Sequence, residues 1–323
     1  MQADDQALRR LPCRGAGGAA IASAVAMDRP RNDPDATLPL PGVPGERREG
    51  RNPVGVGQLL GPWRLEALAG EGSFGRVFRA RHAGSGQVRA VKLLHAALAG
   101  TSEAVRSFLD EARLSARVVH PAVVSAEDVW SCGEGEPSWS VSRWVEGRTL
   151  SSVLRRGPLP LVQALWTGSG LASGLSAVHA AGVVHGDFKP DNVLLAADGG
   201  VHLVDFGSAW ELGRNPRTVH GTPAYLAPET WTGALLDGRV DLYALGCVLF
   251  ALLTGRPPFS ARETRALLEL HRTAPPPPLP ARTAGGEWLP ERLRSLISAC
   301  LEKSPMDRPS SAHEVARLLE QVT

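Results

Sequence analysis

Near residue 150 the chain passes from short, mostly strand-like runs to long helical stretches, and that change limits the folds open to it. Before it, short apolar runs broken by glycines alternate in the manner of strands: Trp63 to Ala69, Arg76 to His82 and Gln87 to Leu94. A helix is predicted from about Glu103 to Val118, with Phe108, Ala112, Ser115 and Val119 recurring at helical spacing on its inner face. Further strands fit Val123 to Trp130 and Trp139 to Trp144. From Leu150 onward the stretches are long and helical. A small β-rich lobe followed by a larger helical lobe is an α+β arrangement with a cleft between the lobes, and clefts of that kind hold ligands.

Composition narrows the choices. The 323 residues are 43% hydrophobic and 21% charged, enough to bury a sizeable core. A formal net charge of +2 gives no electrostatic footprint for nucleic acid. Cys13, Cys132, Cys247 and Cys300 are scattered, without a C-x-x-C pair, and read as isolated thiols in a reducing cytosol. No stretch reaches the roughly 18 apolar residues of a membrane span. Leu242 to Leu253 reads instead as a buried helix, and Ala16 to Met27 is too rich in Gly and Ala for a signal-peptide core. Residues 1–57 are dominated by Pro, Gly, Arg and Asp and read as a disordered or linker extension, with Met27 an alternative start and order beginning near Leu59.

Gly70-Glu71-Gly72-Ser73-Phe74-Gly75 lies between two predicted strands. A dinucleotide site would need a helix after the glycines, whereas Val77 to Ala80 alternates like a strand. The motif is therefore a hairpin whose backbone N–H groups can approach phosphate oxygens; an ordinary glycine hairpin is the plainer alternative. Lys92 ends the apolar strand Val88 to Lys92, about 17 residues beyond Gly75. An ammonium there needs a partner. Glu111, beside the inner stripe of the following helix, suits the pairing better than Glu103 or Asp110.

His185-Gly186-Asp187-Phe188-Lys189-Pro190-Asp191-Asn192 is spaced so that a tight loop can point Asp187 and Asn192 into one site. After a turn at Asp198-Gly199-Gly200 comes Val201-His202-Leu203-Val204-Asp205-Phe206-Gly207, so the two segments read as a hairpin that brings Asp205 near Asn192. Oxygen ligands from Asn192 and Asp205 suit Mg²⁺.

Together these stretches resemble the protein-kinase signature set. Ala227-Pro228-Glu229 resembles the end of an activation segment, Asp241 to Gly246 the buried helix anchoring the large lobe, and Arg308 the arginine that pairs with Glu229. The resemblance covers roughly residues 59 to 320 and is to bacterial eukaryotic-like (Hanks-type) serine/threonine kinases. It implies a bilobal kinase fold with lobes at about 58–145 and 146–323, ATP and Mg²⁺ as cofactors, and proteins as substrates. By the same resemblance Asp187 takes the acceptor proton, Lys189 neutralises the transferring phosphoryl group, and Asn192 and Asp205 hold the ion. Lys92, supported by Glu111, binds the α/β-phosphates, with Ala69, Gly70, Glu71, Gly72, Ser73, Phe74 and Gly75 covering them. Val77, Ala90 and Leu194 are expected in the adenine pocket, Arg143 to Val145 in the hinge, and Ser142 as a small gatekeeper. Lys189 with Gly221-Thr222 points to serine and threonine acceptors.

Two positions depart from the pattern. Gly186 stands where many kinases carry the arginine that receives an activation-segment phosphate, so weak dependence on phosphorylation at Thr218 is expected, with Arg214, Arg217 or Arg239 as substitutes. Ser115 stands where a larger apolar residue usually supports the helix, and a looser helix is one expectation. Three alternatives remain: a nucleotide-binding pseudokinase, a small-molecule phosphotransferase of the aminoglycoside type, and a docking protein using Ala274 to Pro280, which otherwise is a surface loop. His179, His220 and His271 lack metal spacing, His185 is expected beneath Phe206, and Trp63, Trp139, Trp144, Trp166 and Trp231 are expected to pack.

Overall fold

The computed structural model describes residues 54–131, 137–214, 221–231 and 235–322. Of the extension expected to be disordered or linker at 1–57, residues 1–53, with Cys13 and Met27, lie outside these residues, as do Cys132, Arg217, Thr218 and His220; residues 54–57 lie within them, Val54 packing against the sheet core and Gly57 N–H donating to the Leu65 carbonyl, so order begins earlier than Leu59.

The first half is a curled antiparallel sheet. Strands β1 (Leu59–Leu60), β2 (Trp63–Glu71), β3 (Gly75–His82) and β4 (Val88–Leu94) precede helix α1 (Ser102–Ala116), and β5 (Ala126–Trp130) and β6 (Trp139–Arg143) follow it. Their order across the sheet is β1-β2-β3-β4-β6-β5. Alternation assigns the faces. Leu65, Phe78, Ala80, Val91, Leu93, Trp139 and Val141 bury one side around Trp63. The register Val77↔Lys92, with Ala90↔Ser142 and Lys92↔Ser140, puts Val77, Ala90, Lys92 and Ser142 together on the other side. The inner face of α1 is Ala104, Phe108, Ala112 and Ser115. The expectation for Val119 is corrected: the helix ends at its C-cap Arg117, periodicity stops there, and Val119 is 94% exposed while Val118 is buried.

The second half is helical around a small sheet. Strand β7 (Gly147–Thr149) leads into α2 (Leu150–Leu154) and α3 (Leu161–Ala180), followed by β8 (Val183–Val184), β9 (Val193–Ala196), β10 (Val201–Leu203) and β11 (Trp210–Glu211). Helices α4 (Arg239–Thr254), α5 (Thr264–Thr273), α6 (Glu291–Cys300) and α7 (Ala312–Glu320) complete it. Every residue of α4 from Val240 to Leu253 is buried, as an all-round apolar helix requires, so α4 is the axis of this core. Cys247 and Cys300 are buried free thiols within it, and burial raises both above the ordinary thiol range. No described helix is long and apolar enough to cross a membrane. Ala274 to Pro280 is the loop between α5 and α6. The packing expected of Trp166 and Trp231 is corrected: they are 66% and 47% exposed, Trp166 donating its indole N–H to the Gly199 carbonyl. Trp63 and Trp139 are buried as expected.

Backbone bonds tie the halves together. Leu203 N–H donates to the Ala122 carbonyl and Val124 N–H to the Leu203 carbonyl, fixing β10 against the segment that leaves α1. Deeper in the helical half, Arg308 makes a bidentate pair with Glu229 at 2.6 and 2.8 Å. It also donates to the carbonyls of Glu302, Arg239 and Lys303, so one guanidinium clamps three segments. Beside it, His271 is fully buried against Phe259 and bonds the Tyr243 hydroxyl at 2.9 Å. Burial, with Lys303 adding to it, pushes the imidazole down to about 4.

Arg308→Ala should lower unfolding free energy by about 3–5 kcal/mol, the usual effect of breaking a buried pair, read from urea denaturation; a loss under about 1 kcal/mol would contradict the clamp. His271 is neutral in the fold and protonates more readily when unfolded. Its contribution is therefore complete above the ordinary value of 6.5 and is lost as pH falls toward 4. Melting curves across that window should fall less steeply for His271→Gln than for the unaltered chain; parallel curves would refute the assignment.

Candidate active site

The glycine hairpin joins β2 to β3. Gly72 N–H donates to the Gly75 carbonyl and His95 N–H to the Phe74 carbonyl, which braces the tip against the end of β4. The three glycines differ in what demands them. A Cβ on Gly75 would collide with the Leu93 carbonyl oxygen, so packing excludes a side chain there. Gly70 and Gly72 face open space, with nothing within 4 Å of a Cβ position. Their lack of a side chain leaves the backbone accessible. Ala69, Glu71 and Ser73 are exposed beside them and Phe74 is half-buried.

Lys92 stands below this tip. Its Nζ bonds Glu111 Oε1 at 2.5 Å and Asp205 Oδ1 at 3.0 Å, drawing β4, α1 and the segment after β10 to one point. Burial alone would pull the ammonium down, but the two carboxylates outweigh it and Lys92 lies above the ordinary lysine range. Burial likewise would push Asp205 up, and Lys92 with the Gly207 N–H holds it below the usual carboxylate range. The rival carboxylate Asp110 faces outward and pairs with Arg113. Ser115 is a tie rather than a gap: its hydroxyl donates to the Ala112 carbonyl and accepts from Ala126 N–H, joining α1 to β5. Val77 and Ala90 flank Lys92 on the same sheet face and Leu194 lies half-buried on β9. Val145 is half-buried after β6. The Arg143 side chain is on the opposite face from Ser142 and bonds the Pro121 carbonyl and His202, which leaves only its backbone toward the Ala90 side.

The loop between β8 and β9 carries the second cluster. Asp187 Oδ1 accepts from Thr222 N–H at 3.0 Å and from the Thr222 hydroxyl at 3.2 Å, while Oδ2 pairs with Lys189 Nζ at 2.7 Å. Lys189 also donates to Thr222 Oγ1 at 2.6 Å. Asn192 Nδ2 donates to the Asp187 carbonyl at 2.8 Å and to its carboxylate at 3.4 Å. The hairpin of β9 and β10 then carries the chain to Asp205, and Val204 N–H donates to the Asn192 carbonyl. Asp205 has φ +65°, a left-handed conformation costly for a non-glycine residue and typical of positions where geometry serves a site.

Both candidate ion ligands retain an oxygen. The bonds of the Asn192 side chain run through Nδ2, which leaves Oδ1, and those of Asp205 run through Oδ1, which leaves Oδ2. One amide oxygen and one carboxylate oxygen fit Mg²⁺, which takes few protein ligands beside substrate phosphates and water. Among the described residues no group of three His, Cys, Asp or Glu side chains is arranged for a metal, so this pair differs from a closed structural site.

The scaffold beneath is Asp241 at the start of α4. One oxygen accepts from His185 N–H at 2.8 Å and from His179 Nε2 at 2.8 Å, and the other from Gly186 N–H at 2.9 Å. Burial would raise this carboxyl, but the His179 bond, the neighbouring histidines and the Gly186 N–H hold it below the usual range. His185 lies between Phe188 and Phe206, with ring centroids at 6.0 and 5.1 Å, the supporting position expected of it. Thr222 and Asp241 carry more of the site than the sequence alone indicates. Thr222 belongs to a motif the sequence marks; the backbone groups held by Asp241 have no sequence signal.

The sequence pattern described as "Protein kinase domain" matches residues 63–319. The chain is 38% identical over 272 residues to a Myxococcus xanthus protein named serine/threonine-protein kinase pkn2, covering 81% of this chain and 32% of that one. It is 36% identical over 271 residues to serine/threonine-protein kinase PknH of Mycobacterium bovis, covering 81% and 44%. Serine/threonine-protein kinase PkaA of Streptomyces coelicolor is 38% identical over 290 residues, covering 84% and 50%. The chain thus spans between a third and a half of the length of these curated relatives.

Asp241→Asn should cost about 1–3 kcal/mol of stability, because an amide cannot accept on both sides and would set its own NH2 against a donor that Asp241 now accepts from. Guanidinium denaturation reads this, and an unchanged midpoint would exclude Asp241 as the support of the loop.

Proposed function

Because the chain belongs to the protein kinase domain family, we propose that it is a serine/threonine protein kinase, transferring the γ-phosphoryl group of Mg·ATP to serine and threonine hydroxyls of proteins, its own chain included. The observation that carries this reading is the Lys92 ammonium bonded at once to Glu111 and to Asp205, 113 positions later in the chain. A lysine so fixed offers its remaining proton to the α/β-phosphates.

In the proposed reaction the acceptor hydroxyl oxygen bonds to the γ-phosphorus as the bond to the β–γ bridging oxygen breaks, and ADP leaves. Asp187 orients that hydroxyl and takes its proton, and the Thr222 N–H and Lys189 ammonium hold its two oxygens in place. Lys189 also stands where charge on the transferring group is neutralised. Asn192 and Asp205 would hold Mg²⁺, which supplies neutralisation of the phosphate oxygens. The backbone of Gly70 and Gly72 would lie over the phosphates, and Val77, Ala90, Val145 and Leu194 against the base. We assign the domain to 58–323, with lobes at 58–145 and 146–323 and an N-terminal extension at 1–57, acting in the cytoplasm on protein substrates.

The test is incubation with labelled ATP and Mg²⁺, a protein acceptor and, in parallel, an aminoglycoside, with phosphosite mapping. Label on serine and threonine of protein is expected; ATP binding without transfer, or label on the aminoglycoside alone, would overturn the reading. Asp187→Asn should lower turnover by about 10²–10⁴-fold while Mg·ATP still raises the melting temperature. Turnover within about twofold of the unaltered chain would refute the role of Asp187.

A further inference from the structure

The Gly186 departure has a structural counterpart 24 residues on. Gly186 has φ +77°. A Cβ there would collide with Cζ3 of the Trp210 ring and lie 2.6 Å from the Ser208 carbonyl oxygen. The indole therefore occupies the space into which any side chain at 186 would project. Trp210 itself is only 7% exposed and is fixed by the β11–β8 pairing, Trp210↔Val184. Among the described residues its buried Nε1 has no hydrogen-bond partner, which disfavours an indole at this place unless the shape of the ring compensates. Ring and loop border a cavity of about 10 Å³ that Asp187, Thr222, Leu226 and Asp241 also line. The Gly186 carbonyl in turn lies 3.4 Å from where a Cβ of Gly221 would be, next to Thr222.

From this packing we infer that Trp210 is a positioning residue: its ring wedges the Asp187 loop against the Thr222 segment and replaces, with an apolar contact present from folding, the phosphate-to-arginine contact that Gly186 cannot make. The inference rests on the phosphotransfer reading above. Near β11, Glu211 pairs with Arg117 at 3.0 Å and with Arg214 at 2.9 Å. Arg117 also donates to the Ala181 carbonyl, which links the end of α1 to the approach to β8. The activation segment is thus anchored at its start by a ring and by the ion pair of Glu211 with Arg117 at the end of α1, neither of which needs a modification. Displacement of a positioned group by about 1 Å can cost about 10²-fold in rate, so a lost wedge is expected in kcat rather than in ATP binding.

The test compares the full chain with Trp210→Phe, Trp210→Leu and Trp210→Ala, each treated with phosphatase and shown by mass spectrometry to carry no phosphate before an initial-rate assay over a range of ATP concentrations. The dephosphorylated unaltered chain should keep its initial kcat within about twofold, and Trp210→Phe, which retains a ring and removes the unpaired N–H, within about threefold. Trp210→Leu and Trp210→Ala should lose at least about tenfold in kcat, with KM for ATP within about twofold. The leucine variant keeps the inference exposed if the alanine variant does not fold. Loss of about tenfold on dephosphorylating the unaltered chain, or full kcat in Trp210→Leu, would overturn the inference and leave the phosphotransfer reading standing. No turnover by the unaltered chain in either state would overturn both.

Discussion

The site depends on keeping one ammonium charged where water is scarce. Lys92 is half-buried on a strand, and burial by itself pulls its ammonium toward easier proton loss. Two carboxylates reverse that balance, and they arrive from different parts of the fold, Glu111 on α1 and Asp205 after β10. Each contact therefore reports on the position of a whole element. A shift of α1 or of the β9–β10 hairpin would leave a buried charge without its partner, which costs several kcal/mol and is steep enough to hold the elements in register. Ser115 bonding Ala126 and Leu203 bonding Ala122 keep those elements from drifting.

Below the cleft the same logic runs through backbone rather than charge. The loop bearing Asp187 has little regular structure, and such a segment is precise only if its N–H groups are bonded. Asp241 supplies two of those bonds from the start of the most buried helix. Arg308 fixes Glu229 and three carbonyls around the start of that helix and the chain beyond it. The Asp187 loop thus rests on a scaffold that bonds its backbone N–H groups from one side and is clamped through its own carbonyls from another, the kind of support that holds a side chain in a fixed geometry.

Much of this was legible in the sequence. The strands from Trp63 to Leu94, the helix carrying Glu111 and the hairpin after Asn192 follow from period and turn residues, because each is local. The choice of Glu111 over Asp110 followed from which face Phe108 and Ser115 occupy. Val119 was misjudged for a local reason as well: periodicity does not show that Arg117 caps the helix. Trp166 lies on the outward side of α3, a placement that its residue type does not reveal. What remained hidden was contact between distant segments. Nothing local in Gly186 names Trp210, and nothing in Ser115 names Ala126; both read as irregularities until the fold put their partners beside them.

The proposed activity requires the nucleotide to sit where those charges converge. A crystal structure of the chain with Mg²⁺ and a non-hydrolysable ATP analogue decides it. The expected result has the α/β-phosphate oxygens within about 3 Å of Lys92 Nζ, the ion on Asn192 Oδ1 and Asp205 Oδ2, and the terminal phosphate facing Asp187. An analogue bound elsewhere, or an ion that ignores both of those oxygens, would contradict it.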